Sequence, residues 1–160
     1  MLSWRKFLGL GVVTAAPATH PASTSAIVDD VMVSAERVAI ALNNSGYKAD
    51  FSLASLKEVD RFFDEQAIDG EARPNGLLAD DLGPRLFSIG GYIGEVIRRN
   101  SGGVWKGDDS DPRAEINVAL KFESGWKCFP IQRAMKRFKN GPEDAIYPYG
   151  LVAIERSSKQ

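Results

Sequence analysis

Gly90, Gly91 and Gly94 fall inside a stretch that otherwise reads as one helix, and that placement narrows the possible folds more than any other feature of the chain. Leu82, Leu86, Ile89, Ile93 and Ile97 recur at intervals of three and four, so one stripe of the segment is apolar. Pro84 suits a first turn, where its missing N–H is not needed. Arg98 and Arg99 complement the negative end of the helix dipole, and Asn100 with the Gly102–Gly103 pair supplies a stop. Each interior glycine gives up about 1 kcal/mol relative to alanine. That loss makes sense where another backbone or a bulky side chain presses on the bare helix surface. A phosphate cradle is the competing use of Gly90-Gly91-Tyr92-Ile93-Gly94. It would need the glycines between a strand and a helix N-terminus, where amides are free to point at an anion. Here the amides belong to a helix interior and no Gly-Lys-Ser/Thr follows, so the spacing predicts a central helix under close contact.

The patterning on either side supplies the partners. Val31, Ala35, Val38 and Leu42 share a helical stripe that Asn43-Asn44-Ser45-Gly46 ends. Tyr47 to Phe51 alternates and reads as a short strand. Leu53, Leu56, Val59 and Phe63 mark a second helix, with Arg61 and Glu65 a favourable pair and Asp60 and Asp64 a mildly repelling one. Residues 66–75 read as a surface loop, and Asp80 or Asp81 is placed to cap the central helix.

Beyond Gly103 the period changes from 3.6 to 2. Val104 and Trp105 open a strand, 106–113 is an exposed acidic loop, and Ile116, Val118, Leu120 and Phe122 form the clearest alternating strand. Glu123-Ser124-Gly125 turns the chain back into Trp126–Phe129, and Pro130 ends that strand. Ile131, Met135 and Phe138 define a short helix. Pro148-Tyr149-Gly150 reads as a bend before a last strand over 151–155, and 157–160 should fray. The expected fold class is α+β: helices packed on one face of a small, mainly antiparallel sheet, around a central glycine-containing helix, in a single domain over 26–156.

A net charge of -1 gives no global field towards nucleic acid or an anionic membrane. The single cysteine, Cys128, excludes an internal disulfide, and the single histidine, His20, removes most metal sites and most nucleophile–histidine schemes. No cofactor and no metal are expected. Residues 1–25 read either as a tail or as a secretory signal. Arg5 and Lys6 precede the apolar run 7–13, and Ala16-Pro17-Ala18 resembles a cleavage site. The run is too short to span a bilayer. The expectation is cytoplasmic, or periplasmic or secreted if residues 1–18 are a signal.

Glu95 stands three and four residues before Arg98 and Arg99. Buried near Tyr92 and Trp105, its pKa would rise towards acid–base use; the plainer reading is an ion pair. Asp108, Asp109, Asp111 and Glu115 make an acidic cluster whose spacing does not match a calcium loop. It serves as a solvated loop or as half of a charge-matched interface. Arg133, Lys136, Arg137 and Lys139, with Lys127, give the late helix a basic side, solvated or phosphate-binding. Cys128 alternates with Lys127 and Phe129 and should be buried as a small hydrophobe.

Ser55-Leu56, Asp60 and Phe63 combine with Gly91-Tyr92-Ile93-Gly94-Glu95-Val96-Ile97, Gly102-Gly103-Val104-Trp105, Pro130-Ile131 and Asn140-Gly141. The combination resembles small bacterial α+β domains grouped as families of unknown function, over Tyr47 to Tyr147. The resemblance implies one bacterial α+β domain and no particular reaction. With no catalytic constellation and charged segments of opposite sign, the leading expectation is a non-catalytic protein-binding domain, such as an immunity-type inhibitor of a bacterial toxin. Asp108, Asp109, Asp111, Arg133, Lys136 and Arg137 are its candidate contact residues. The alternatives are a small enzyme using Glu95 with Tyr92 or an arginine, and a weak nucleic-acid binder acting through the 131–139 helix.

Overall fold

Three neighbours approach the central helix at Gly90, Gly91 and Gly94, and the rest of the architecture follows from those approaches. The computed structural model describes residues 24–159; the signal-like stretch 1–18, His20 and Trp4 lie outside the described residues. In chain order come α1 (Ala26–Asn44), α2 (Ser55–Gln66), β1 (Ala67–Ile68), β2 (Glu71–Ala72) and α3 (Leu82–Ser101). Then follow β3 (Val104–Lys106), α4 (Ala114–Asn117), β4 (Ala119–Lys121), β5 (Lys127–Cys128), α5 (Pro130–Asn140), a 3-10 turn (Gly141–Asp144) and α6 (Ile146–Ser157). A Cβ on Gly90 would stand 2.5 Å from the Ile131 Cα of α5, and one on Gly91 2.9 Å from the Val31 carbonyl oxygen of α1. A Cβ on Gly94 would overlap the Trp105 indole ring of β3. The bare surface is therefore filled by neighbours, as the spacing predicts. Residues 89–97 of α3 are all buried, among them Ile89, Tyr92, Ile93, Val96 and Ile97.

The class is α+β, with two small antiparallel sheets among the described residues. β3, β4 and β5 lie in that order, with Trp105 opposite Leu120 and Leu120 opposite Cys128. β1 and β2 form a separate hairpin inside the segment expected to be loop. Its turn residues Asp69 and Gly70 both have positive φ, 50° and 75°, which is what a two-residue turn of the favoured hand requires. Most of the core is helix against helix: Val31, Ala35, Ala39 and Leu42 of α1, Leu56, Val59 and Phe63 of α2, and Ile131, Ala134 and Phe138 of α5 all pack around α3.

Other expectations fail for reasons visible in the side-chain contacts. Tyr47–Phe51 is not a strand. The Asn43 side chain accepts the Ala49 N–H at 3.0 Å and donates to the Ala49 carbonyl at 2.9 Å, and the Phe51 N–H bonds the Tyr92 hydroxyl at 3.2 Å. Those backbone groups are satisfied without a ladder. The strand expected from Ile116 begins instead as α4. Asp111 accepts the Arg113 N–H at 2.8 Å and the Asn117 side-chain amide at 2.7 Å, and only 119–121 remain extended. Residues 151–155 are helical, with Pro148 and Gly150 inside α6. Pro148 sits in the first turn, where amides are unpaired anyway, and Gly150 is the point where the Leu56 side chain closes in. Asp81 does occupy the N-cap of α3, but in a left-handed conformation and without a side-chain cap bond.

Gly90→Ala tests the packing directly, because the obstructing atom is main chain and cannot rotate away. The variant should lose about 3 kcal/mol in chemical denaturation even though alanine is the better helix former. A gain in stability would refute the close approach.

Candidate functional site

α5 is amphipathic, and its two sides have separate fates. Ile131, Ala134 and Phe138 are buried, whereas Gln132, Arg133 and Lys136 look outward. Next to that outer side, β5 presents Lys127 to solvent and places Cys128 inwards, the alternation expected of a strand. The chain then exposes Phe129 and enters α5 through Pro130. Trp126, Lys127, Cys128, Phe129, Gln132, Arg133, Lys136 and Tyr149 line a cup of about 190 Å³. Its cations are Lys127, Arg133 and Lys136, and among the described residues no carboxylate lines it.

Arg133 is fixed in place. Its guanidinium donates to Asp144 at 2.6 Å and lies 4.4 Å from the centre of the Tyr149 ring. Lys127 and Lys136 have no ion-pair partner among the described residues. The floor is chemically quiet. Burial pushes the Cys128 thiol up to about 12, with a hydrogen bond to Tyr149 only partly opposing it, so the sulfur stays protonated and inert. Burial likewise raises Tyr149, reinforced by Cys128. Trp126 stacks on Phe122 with centroids 5.4 Å apart, which backs one side of the cup with a second ring. A second depression of about 320 Å³ adjoins the cup. It is lined by Arg133, Pro142, Glu143, Ala145, Pro148, Tyr149 and Val152, so Arg133 and Tyr149 form a shared ridge.

The remaining candidates are occupied inside the fold. Glu95 is 1% exposed and bonded on both oxygens. Arg98 donates at 2.7 and 2.9 Å, Arg99 at 3.2 Å, and the Trp105 indole N–H at 2.8 Å. Burial alone would raise this carboxyl, but the bonds from Arg98 and Trp105, the Arg98 charge and the Arg99 bond outweigh it and hold the pKa below the usual glutamate value. The direction is opposite to the rise that acid–base use would need, and the pairing with Arg98 and Arg99 is that of the plainer reading. The Tyr92 hydroxyl is bonded to Ser55 at 2.6 Å and to the Phe51 N–H, not to Glu95. Arg99 also pairs with Glu36 and covers the Phe51 ring at 3.6 Å.

The acidic loop is likewise structural in large part. Asp109 receives the Ala26 N–H at 2.8 Å and the Ile27 N–H at 2.9 Å, and so caps α1 from a distant loop. Asp108 closes a turn onto Ser110, and Asp111 holds α4. Arg137, a candidate contact residue in the sequence, is 3% exposed. It bridges Asp60 at 3.0 Å and Asp64 at 2.5 Å, which removes the repulsion expected between those two. Asp60 also accepts the Ile146 and Tyr147 N–H groups at 2.8 and 2.9 Å, capping α6. Of the six candidate contact residues, Arg133 and Lys136 share the open face of the cup, Asp108 and Asp109 are exposed on the acidic loop, Asp111 is half-buried beside α4, and Arg137 is buried. The aromatic half of that face, Trp126, Phe129 and Tyr149, was not singled out in the sequence; the run Trp126-Lys127-Cys128-Phe129, with aromatics flanking a cation, was the available signal.

Among the described residues no group of three or more His, Cys, Asp or Glu could hold a metal ion, and no helix is long and apolar enough to cross a membrane. No protein-family model, curated protein or solved structure matches the chain.

Removing Asp60 by D60A strips the α6 cap and half of the Arg137 pairing, for an expected cost of about 3 kcal/mol or more. D109A removes the two bonds that cap α1 and should cost about 1 kcal/mol; equal losses in urea melts would contradict this assignment. Glu95→Gln should lose about 2 kcal/mol at neutral pH. Because the folded carboxyl lies below its ordinary value of 4.5, its contribution is complete above that pH and disappears as pH falls through the lower folded value. The stability gap between wild type and E95Q should therefore shrink in acid.

Proposed function

We propose that the chain is a non-catalytic protein-binding domain, of the kind that neutralises or escorts another protein, and that the basic, aromatic face around α5 is its docking surface. An immunity-type inhibitor of a bacterial toxin is the form of this activity that the reading favours. The observation that carries it is a contrast in how charge is used. Asp60, Glu95 and Arg137 are consumed inside the fold and Asp109 is engaged in capping α1, whereas Lys127 and Lys136 stand without a counter-charge among the described residues, beside part-exposed aromatic rings. Unpaired cations steer an oppositely charged partner, and aromatic side chains supply the desolvated anchors that hold it.

The two alternatives have less support. Acid–base work by Glu95 would need a carboxyl able to take up and release a proton near neutrality, and this one is held ionised by two arginines and an indole N–H. Nucleic acid would need phosphates along a basic track. Here the cations are few, Arg133 is already paired with Asp144, and Glu143 stands on the adjoining depression.

Amine-reactive cross-linking in the native host tests the proposal. One protein should be recovered with cross-links at Lys127 and Lys136, and the K127E/K136E variant should recover it about tenfold less well. Recovery of no protein at all, from cells in which the chain is expressed, would sink the reading.

A further inference from the structure

We infer that the partner enters this face as a linear segment in which acidic residues adjoin one aliphatic or aromatic residue. The acidic part lies between Lys127 and Lys136, and the apolar side chain lies in the depression bounded by Pro142, Ala145, Pro148 and Val152. This inference rests on the protein-binding reading and names the chemistry that the face would recognise. The two hollows, about 190 and 320 Å³, lie below and at the bottom of the range of about 300–1,000 Å³ that suits a whole drug-sized molecule. Each is sized for one or a few side chains, and the shared Arg133–Tyr149 ridge sets two such side chains next to one another.

The hollows differ in character. The first carries Lys127 and Lys136 without a lining carboxylate; the second is walled by two prolines, an alanine and a valine. Val152 at 44% and Phe129 at 38% exposure leave apolar surface available at both ends. The ridge between them is preformed, because Asp144 and the Tyr149 ring hold the Arg133 guanidinium, so little side-chain freedom is lost when a ligand crosses it.

Charge also sets the direction of the segment. Glu143 lines the second hollow and repels an acidic residue placed there, whereas Lys127 and Lys136 attract one into the first. A nucleic-acid strand fits less well: bases could stack at Trp126 and Phe129, but its phosphates would then run past Glu143.

The test presents the full chain with a displayed library of short linear peptides of mixed composition. Sequences with Asp or Glu next to Leu, Phe or Trp should be enriched. For the best of them, synthesised singly, Lys136→Glu and Val152→Asp should each raise Kd about tenfold, with thermal unfolding unchanged because both residues are exposed. A peptide with its acidic residues changed to lysine should regain affinity for K136E. Enrichment of basic or uniformly apolar peptides, indifference to both variants, or equal binding of a single-stranded oligonucleotide would each overturn the inference. A protein partner cross-linked at Lys127 and Lys136 whose contact region is a folded surface would overturn the linear-segment inference alone. Absence of any protein partner removes the broader reading as well.

Discussion

The approach of three neighbours to within a bare Cα of α3 is the constraint on which the other contacts depend. Gly90 admits the backbone of α5, Gly91 that of α1, and Gly94 the edge of the Trp105 ring. Each approach fixes something beyond itself. Seating Trp105 against Gly94 brings its indole N–H to Glu95, one position along the helix, so the tryptophan that fills the gap also satisfies the buried carboxylate. Seating α5 against Gly90 turns the opposite side of α5 outward and positions Arg133 and Lys136 beside Lys127. The open face is thus a by-product of how closely its helix is held from behind.

A second theme is how the fold uses acids. Carboxylates that look like surface charge in the sequence cap helix starts or neutralise the buried Arg137. Asp60 receives Arg137 and two amides of α6, and Asp109 receives two amides of α1. Neither α1 nor α6 has a side-chain cap bond from its own N-cap residue. Their first amides, which would otherwise be unsatisfied, are supplied across the fold.

This division explains what could be read from the sequence. α1, α2, α3 and α5 were legible because each carries its own apolar stripe, and the glycines of α3 announced close packing by their position alone. The burial of Cys128 followed from strand alternation. What escaped depended on residues far away in the chain. Gly150 looks like a bend unless Leu56 is known to lie against it, and Pro148 looks like a break unless Asp60 is known to start the helix just before it. Tyr47–Phe51 has the composition of a strand, and only the Asn43 and Tyr92 side chains turn it into something else. The β1–β2 hairpin is different: Asp69-Gly70 was a local signal, outweighed by the surrounding charge. For the face around α5, the cations were visible in sequence. The aromatic wall needed α6 to be a helix before Tyr149 could be placed.

The remote caps also bear on how the chain is made. The amides of Ile146 and Tyr147 meet a carboxylate lying 86 and 87 positions earlier, already synthesised when α6 leaves the ribosome. The amides of Ala26 and Ile27 must wait for one that lies 83 and 82 positions later. Vectorial synthesis therefore treats the two outer helices unequally: the last can dock as it emerges, while the first is born with its leading turn unanchored until most of the domain has followed. An arrested nascent chain ending before Asp109 should leave that opening turn frayed, a difference between the ends that the finished fold no longer displays.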